Sequence, residues 1–271
     1  MRYGCRAHDI GQWTADTLAA RLAAKGIQSI QLAPFKAISF TGALASHAAS
    51  IGDALRKNHI VTAVVGCYIN PINPNPQVRE QSIETFFDYL GCVHQLNGNL
   101  VGLETGTPTV DYTPTPLAHT EEAFMDMVRT LERLVEKAET LSETYIGIEA
   151  VHCHTVSTAK KMKRLIQLLA SPRVRVIFDP VNLIDSSNAL NQKDLFAEYV
   201  DLLHDTISVV HVKPHHNALD TEAAYGWIRK TSQDLDILLE EVPESELVVE
   251  LAKIRAQTFK GNDNENCSHQ H

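Results

Sequence analysis

The chain has 271 residues, 44% of them hydrophobic, a formal net charge of −9 and five cysteines. One large core is within reach at this size, while the acidic balance and the lack of a Lys/Arg block exclude the electrostatic footprint of a nucleic-acid binder. The dispersed, odd set of cysteines without CxxC gives neither a disulfide framework nor a thiolate zinc site, and no apolar run is long enough to span a bilayer.

The N-terminus lacks the long apolar run of a signal peptide, so the expectation is a cytoplasmic protein with no membrane contact. In chain order, a β-rich run at 3–8 is followed by an amphipathic segment at 14–26, which Gly26 is placed to end. Further strands are predicted at 28–33 and 60–68, the latter leading into a Pro/Asn-rich loop at 70–76. A strand at 99–104 precedes a helix at 120–141, whose Thr120 and acidic first turn suit a helix N-terminus. A strand at 144–150, a helix at 157–172 and a strand at 174–179 follow. The last units are read as a strand at 207–213, a helix at 232–243 and a strand at 246–251. The strands are apolar nearly throughout, as strands buried on both faces should be.

Eight strands alternating with helices imply parallel pairing through right-handed crossovers. With no GxGxxG after the first strand and no P-loop, the pattern favours a single-domain (β/α)₈ TIM barrel over residues 1–260. Residues 261–271 form a polar tail, expected to fray. In such a barrel the C-terminal ends of all strands face one mouth. The last four predicted strands each end in a potential ligand inside an apolar run: Glu149, Asp179, His211 and Glu250. A charge there is costly to bury unless paired or metal-bound. Three carboxylates and one imidazole suit one divalent metal, Mn²⁺, Mg²⁺, Co²⁺ or Zn²⁺.

The motifs IGIEAVH, FDPVN, HVKP and VVELAK give the chain a resemblance to the xylose-isomerase-like barrel superfamily, particularly its sugar phosphate isomerase/epimerase members. The resemblance implies that the family's four ligands fall on Glu149, Asp179, His211 and Glu250, and that Glu149 and Glu250 move protons. Two positions depart from the family: Asn182 stands where many relatives have histidine, and Pro214 where many have an acidic residue. The substrate contacts expected at the mouth are His8, Lys36, Glu104, His152, Asn182 and Lys213.

The function implied is a divalent-metal-dependent isomerase or epimerase of carbohydrate metabolism. It would act on a ketose, keto-inositol or sugar phosphate by proton transfer through an enediolate. Three alternatives stand beside it: a keto-inositol dehydratase, an endonuclease IV-like phosphodiesterase and an inactive ligand-binding barrel. The phosphodiesterase needs histidines that the second and third strands and Asn182 do not supply. The expected partner is a small sugar-like molecule and no nucleic acid; a homo-oligomer is compatible with the sequence.

Overall fold

Strands that read as unbroken apolar runs need cover on both faces, and a closed barrel wrapped in helices supplies it. The computed structural model describes residues 1–229 and 234–258. The expected tail at 261–271 lies outside the described residues, as does the start of the helix expected at 232–243.

The strands are β1 (Arg2–Arg6), β2 (Ser29–Leu32), β3 (Val61–Gly66), β4 (Leu100–Glu104), β5 (Tyr145–Glu149), β6 (Val174–Phe178), β7 (Ile207–Val212) and β8 (Asp236–Leu239). Each pairs in parallel with the next, and β8 closes on β1 through Arg2↔Asp236 to Cys5↔Leu239. The helices are α1 (Ala15–Ala24), α2 (Pro34–Ala37), α3 (Ala48–Lys57), α4 (Pro76–Cys92), α5 (Glu121–Glu139), α6 (Ala159–Leu169), α7 (Gln192–Leu203), α8 (Thr221–Ile228) and α9 (Leu247–Thr258). Thr14, Asn75, Thr120, Thr158 and Asp220 cap α1, α4, α5, α6 and α8 by accepting backbone N–H bonds of the first turn. Among the described residues no helix is long and apolar enough to cross a membrane.

The final unit differs from the sequence expectation. The segment 246–251, read as the last strand, lies in and before α9, and the helix expected at 232–243 contains β8. The physical reason lies in two competing patterns. Leu247, Leu251, Ile254 and Thr258 are buried at helical spacing, whereas Val248 and Val249, which suggested a strand, are exposed.

Successive strand residues face opposite sides, so every second residue enters the barrel. Ala63, Val64, Leu100, Ile177, Val209 and Leu238 form a compact interior cluster, distinct from the larger core between barrel and helices. Gly102 and Gly147 make room for it: a Cβ on either would come within 2.9 Å of Ile177 Cδ1. Counting by twos from this layer toward the C-terminal mouth reaches Glu104, Glu149, Asp179, His211 and Glu240. Alternation thus delivers one titratable residue from each of five adjacent strands to one end of the barrel.

Candidate functional site

Glu149, Asp179 and His211 are 3%, 1% and 0% exposed. Each offers one ligand atom, and the three atoms lie within 4.8 Å of one another. Glu149 ends β5, Asp179 directly follows β6, and His211 lies in β7. Both His211 ring nitrogens lack a hydrogen-bond partner among the described residues. Its Nδ1 instead stands 3.4 Å from Glu149 Oε2 and 3.4 Å from Glu240 Oε1.

The carboxylate that the end of β8 contributes is therefore Glu240, not Glu250. Glu250 belongs to α9, where it receives a 2.6 Å bond from Lys253 Nζ one turn along the same helix. Its assignment as a ligand and proton carrier fails with the strand assignment that produced it. The signal for Glu240 was present, since ILLE repeats the IGIE pattern of three apolar residues before a glutamate.

Local geometry fixes each group. Asp179 Oδ1 accepts the backbone N–H groups of Val181 and Asn182 at 2.9 and 3.3 Å, and Oδ2 takes neither of them. Lys213 Nζ stands 2.8 Å from that oxygen and donates to Asn182 Oδ1 at 2.9 Å. Asn182 in turn donates to Glu149 Oε1 at 2.6 Å. The amide thus bridges a cation and an anion, donating to one and accepting from the other. Arg6 reaches Glu240 Oε2 at 3.2 Å and Asp9 at 2.8 Å.

The electrostatics follow from burial and crowding. Burial opposes the His211 imidazolium, but Glu240, Glu149 and Asp179 outweigh it and raise its pKa to about 9. Burial likewise opposes the Lys213 ammonium, and Asp179 and Glu240 again prevail, so its pKa is raised. Desolvation raises the Asp179 carboxyl despite its lysine neighbour. Glu104 ends β4 in register with Glu149. Burial and the Glu149 charge push it up to about 7.

A cavity of about 330 Å³ opens over this cluster. Of the expected substrate contacts, His8, Lys36, Glu104, Asn182 and Lys213 line it, and so do Arg6, Gln31, Tyr68 and Glu241, which sequence reasoning passed over. His152 is placed otherwise. Its backbone N–H and its Nδ1 both meet the Asn182 carbonyl, at 2.6 and 3.2 Å, so it braces the loop after β6. His154 stands beside Glu104, with Nδ1 3.6 Å from Oε2, and the Tyr112 hydroxyl donates to the same oxygen at 3.4 Å.

A family model described as xylose isomerase-like TIM barrel matches residues 19–242, a span that includes Glu240 and stops short of Glu250. No curated protein matches the chain. Among solved structures, D-psicose 3-epimerase from Clostridium cellulolyticum H10 with D-tagatose has a TM-score of 0.71 at 14% identity, covering 95% of this chain and 98% of its own. The 3-keto-D-glucoside 4-epimerase from E. coli gives 0.70 at 13% identity, covering 94% and 99%. The IOLI protein with a bound zinc atom gives 0.70 at 14% identity, covering 95% and 98%. At these identities the likeness is one of fold.

Proposed function

The chain belongs to the xylose isomerase-like TIM barrel family, and we propose that it is a divalent-metal-dependent isomerase or epimerase that moves a proton beside the carbonyl of a ketose, keto-inositol or sugar phosphate. The observation that carries this reading is the buried set of Glu149, Asp179 and His211 beneath an open cavity, with Glu240 against the same imidazole nitrogen. The set fits a metal. Among the described residues His211 Nε2 is buried without a partner, and its Nδ1 and Asp179 Oδ2 meet only charged groups, Glu149 and Glu240 for the one and the Lys213 ammonium for the other. Three carboxylates with one imidazole are a donor set for Mn²⁺, Mg²⁺, Co²⁺ or Zn²⁺, and Glu149, Asp179, His211 and Glu240 are the residues that would hold the ion. When bound, such a cation polarises a substrate carbonyl and offsets the negative charge that develops on its oxygen.

The protein's own groups handle the proton. Glu149 and Glu240 each stand 3.4 Å from His211 Nδ1, and the other oxygen of each is held in place, by Asn182 and by Arg6 respectively. A substrate carbon seated between them exposes one face to each carboxylate. One glutamate takes the proton from the carbon next to the carbonyl, and the other returns one to the opposite face or to the adjacent carbon. Lys213 and Asn182 orient the substrate's hydroxyl groups from the rim of the same cluster. The named substrates of the similar folds, D-tagatose and a 3-keto-glucoside, are carbonyl sugars and support this class.

Dehydration of a keto-inositol is a second reading, favoured by Glu104. A carboxyl raised to about 7 is partly protonated at neutral pH and can hand a proton to a departing hydroxyl. The test is a panel of ketoses, keto-inositols and their phosphates incubated with Mn²⁺-loaded protein in D₂O. Carbon-bound deuterium in recovered substrate or product is expected. Glu149→Gln and Glu240→Gln should each lower turnover by ~10²–10⁴-fold, while one of them retains exchange. Products lacking one water would select the dehydratase, and wild-type turnover in both variants with metal bound would refute the proton-transfer scheme.

A further inference from the structure

The cavity has two chemically different ends. One is crowded by the carboxylates and the Lys213 ammonium of β4 to β8; the other is built by β1 and β2 and the turns that follow them. Its three cations are unequally engaged. Arg6 is taken up by Asp9 and Glu240, and Lys213 by Asp179 at 2.8 Å. Lys36, from α2, forms no ion pair among the described residues, and its ammonium stands 5.8 Å over the Tyr68 ring. Two polar groups beside it are also unpartnered: Gln31 Oε1 and His8 Nδ1 are buried without a hydrogen bond among the described residues. Gln31 is 1% exposed, and every second residue of its strand enters the barrel. Buried polar groups are ordinarily paired, so orphaned ones that line a cavity mark where a ligand's atoms belong.

Burial pushes His8 down to about 4, with Arg6 and Lys36 adding to the effect and Asp9 opposing it, so its ring is a neutral donor and acceptor at physiological pH. A neutral imidazole, a primary amide and a lysine without a counter-ion form a mixed set that takes an anion together with the hydroxyl next to it.

We infer that this end of the cavity receives an anionic terminus of the substrate, a phosphate or a carboxylate on the carbon most remote from the reacting carbonyl. Lys36 faces the anion, while His8 and Gln31 hold the flanking hydroxyl. The volume of about 330 Å³ lies at the small end of ligand pockets and suits a single sugar-sized molecule. The inference rests on the reading of the metal-side cluster as a proton-transfer centre for a carbonyl sugar, and it narrows the substrate class to sugars that carry a charge.

The test titrates Mn²⁺-loaded protein calorimetrically with the D-ketohexoses, their 6-phosphates and the corresponding uronates, alongside the D₂O exchange assay on the same compounds. At low ionic strength one anionic series should bind about tenfold or more tightly than its neutral parent, the effect of one charge-assisted hydrogen bond, and added salt should narrow the gap. Lys36→Gln should bring the ratio to about one, with Mn²⁺ affinity serving as the check on folding. A phosphate preference identifies a sugar phosphate, and a uronate preference a sugar acid; either supports the inference. Exchange with neutral ketoses and no anionic advantage, or an advantage that survives Lys36→Gln, overturns it and leaves the proton-transfer reading standing. Absence of exchange with every compound here and with the keto-inositols of the wider panel overturns both.

Discussion

At the scale of single residues, Asn182 organises the site more than its chemistry suggests. Its side chain joins Glu149 to Lys213, and its carbonyl is gripped by His152. Groups that orient metal ligands typically change affinity by about 10–100-fold when removed. Asn182→Ala should therefore weaken Mn²⁺ binding by about that factor, measured by calorimetry, and an unchanged affinity would reduce the bridge to incidental packing. The pair Glu240 and Glu250 gives a sharper contrast. Glu240→Ala removes a carboxylate 3.4 Å from His211 Nδ1, whereas Glu250→Ala removes one that pairs with Lys253 within α9. The first should lower Mn²⁺ affinity strongly and the second should leave it alone; the reverse ordering would restore Glu250 to the site.

At the scale of elements, the exchange of strand and helix after β7 is the instructive case. The run Asp236–Leu239 is strongly apolar and flanked by Glu240 and Glu241, residues of good helix propensity, so short-range preference points the wrong way. In Leu247–Thr258 two β-branched residues, Val248 and Val249, imitate a strand, although the buried positions repeat at helical spacing. Burial separates the alternatives. Val249 is 55% exposed and Leu251 is 2% exposed. Val249→Lys should change stability by no more than about 0.5 kcal/mol, and Leu251→Ala should cost about 2–5 kcal/mol in denaturant titration. A large loss for Val249→Lys would contradict the helix. Chain spacing also favoured Glu240: from His211 it is one short βα unit away, as Asp179 is from Glu149.

At the scale of the whole molecule, the closed barrel gathers charges that the chain keeps far apart and holds them where water is scarce. The result is a linkage between metal and proton. His211, raised to about 9 in the metal-free cluster, is protonated at pH 7.5, and a metal ligand must be deprotonated. Metal binding at pH 7.5 should therefore release about one proton, a release that fades as pH rises through 9, because the site is then already deprotonated. Calorimetry in buffers of different ionisation enthalpy reads this directly, and no proton release at pH 7.5 would contradict a charged His211. The same sign holds for folding. The raised pKa means that this group stabilises the metal-free protein fully below the unfolded histidine pKa of about 6.5, and that the stabilisation is lost as pH rises through 9.

By itself the sequence determined the parallel barrel and seven of its eight strands, because strands buried on both faces leave long apolar runs whatever their neighbours are. It also determined that Glu149, Asp179 and His211 would meet, since strand ends in such a barrel converge on one mouth. The tertiary structure decided the rest. Which apolar segment closes the sheet depends on pairing with β1, a contact more than two hundred residues distant that no local propensity encodes. Which polar residues enter the cavity depends on the inward phase of each strand in the closed sheet, which placed Arg6 and Gln31 there and turned His152 toward a backbone carbonyl.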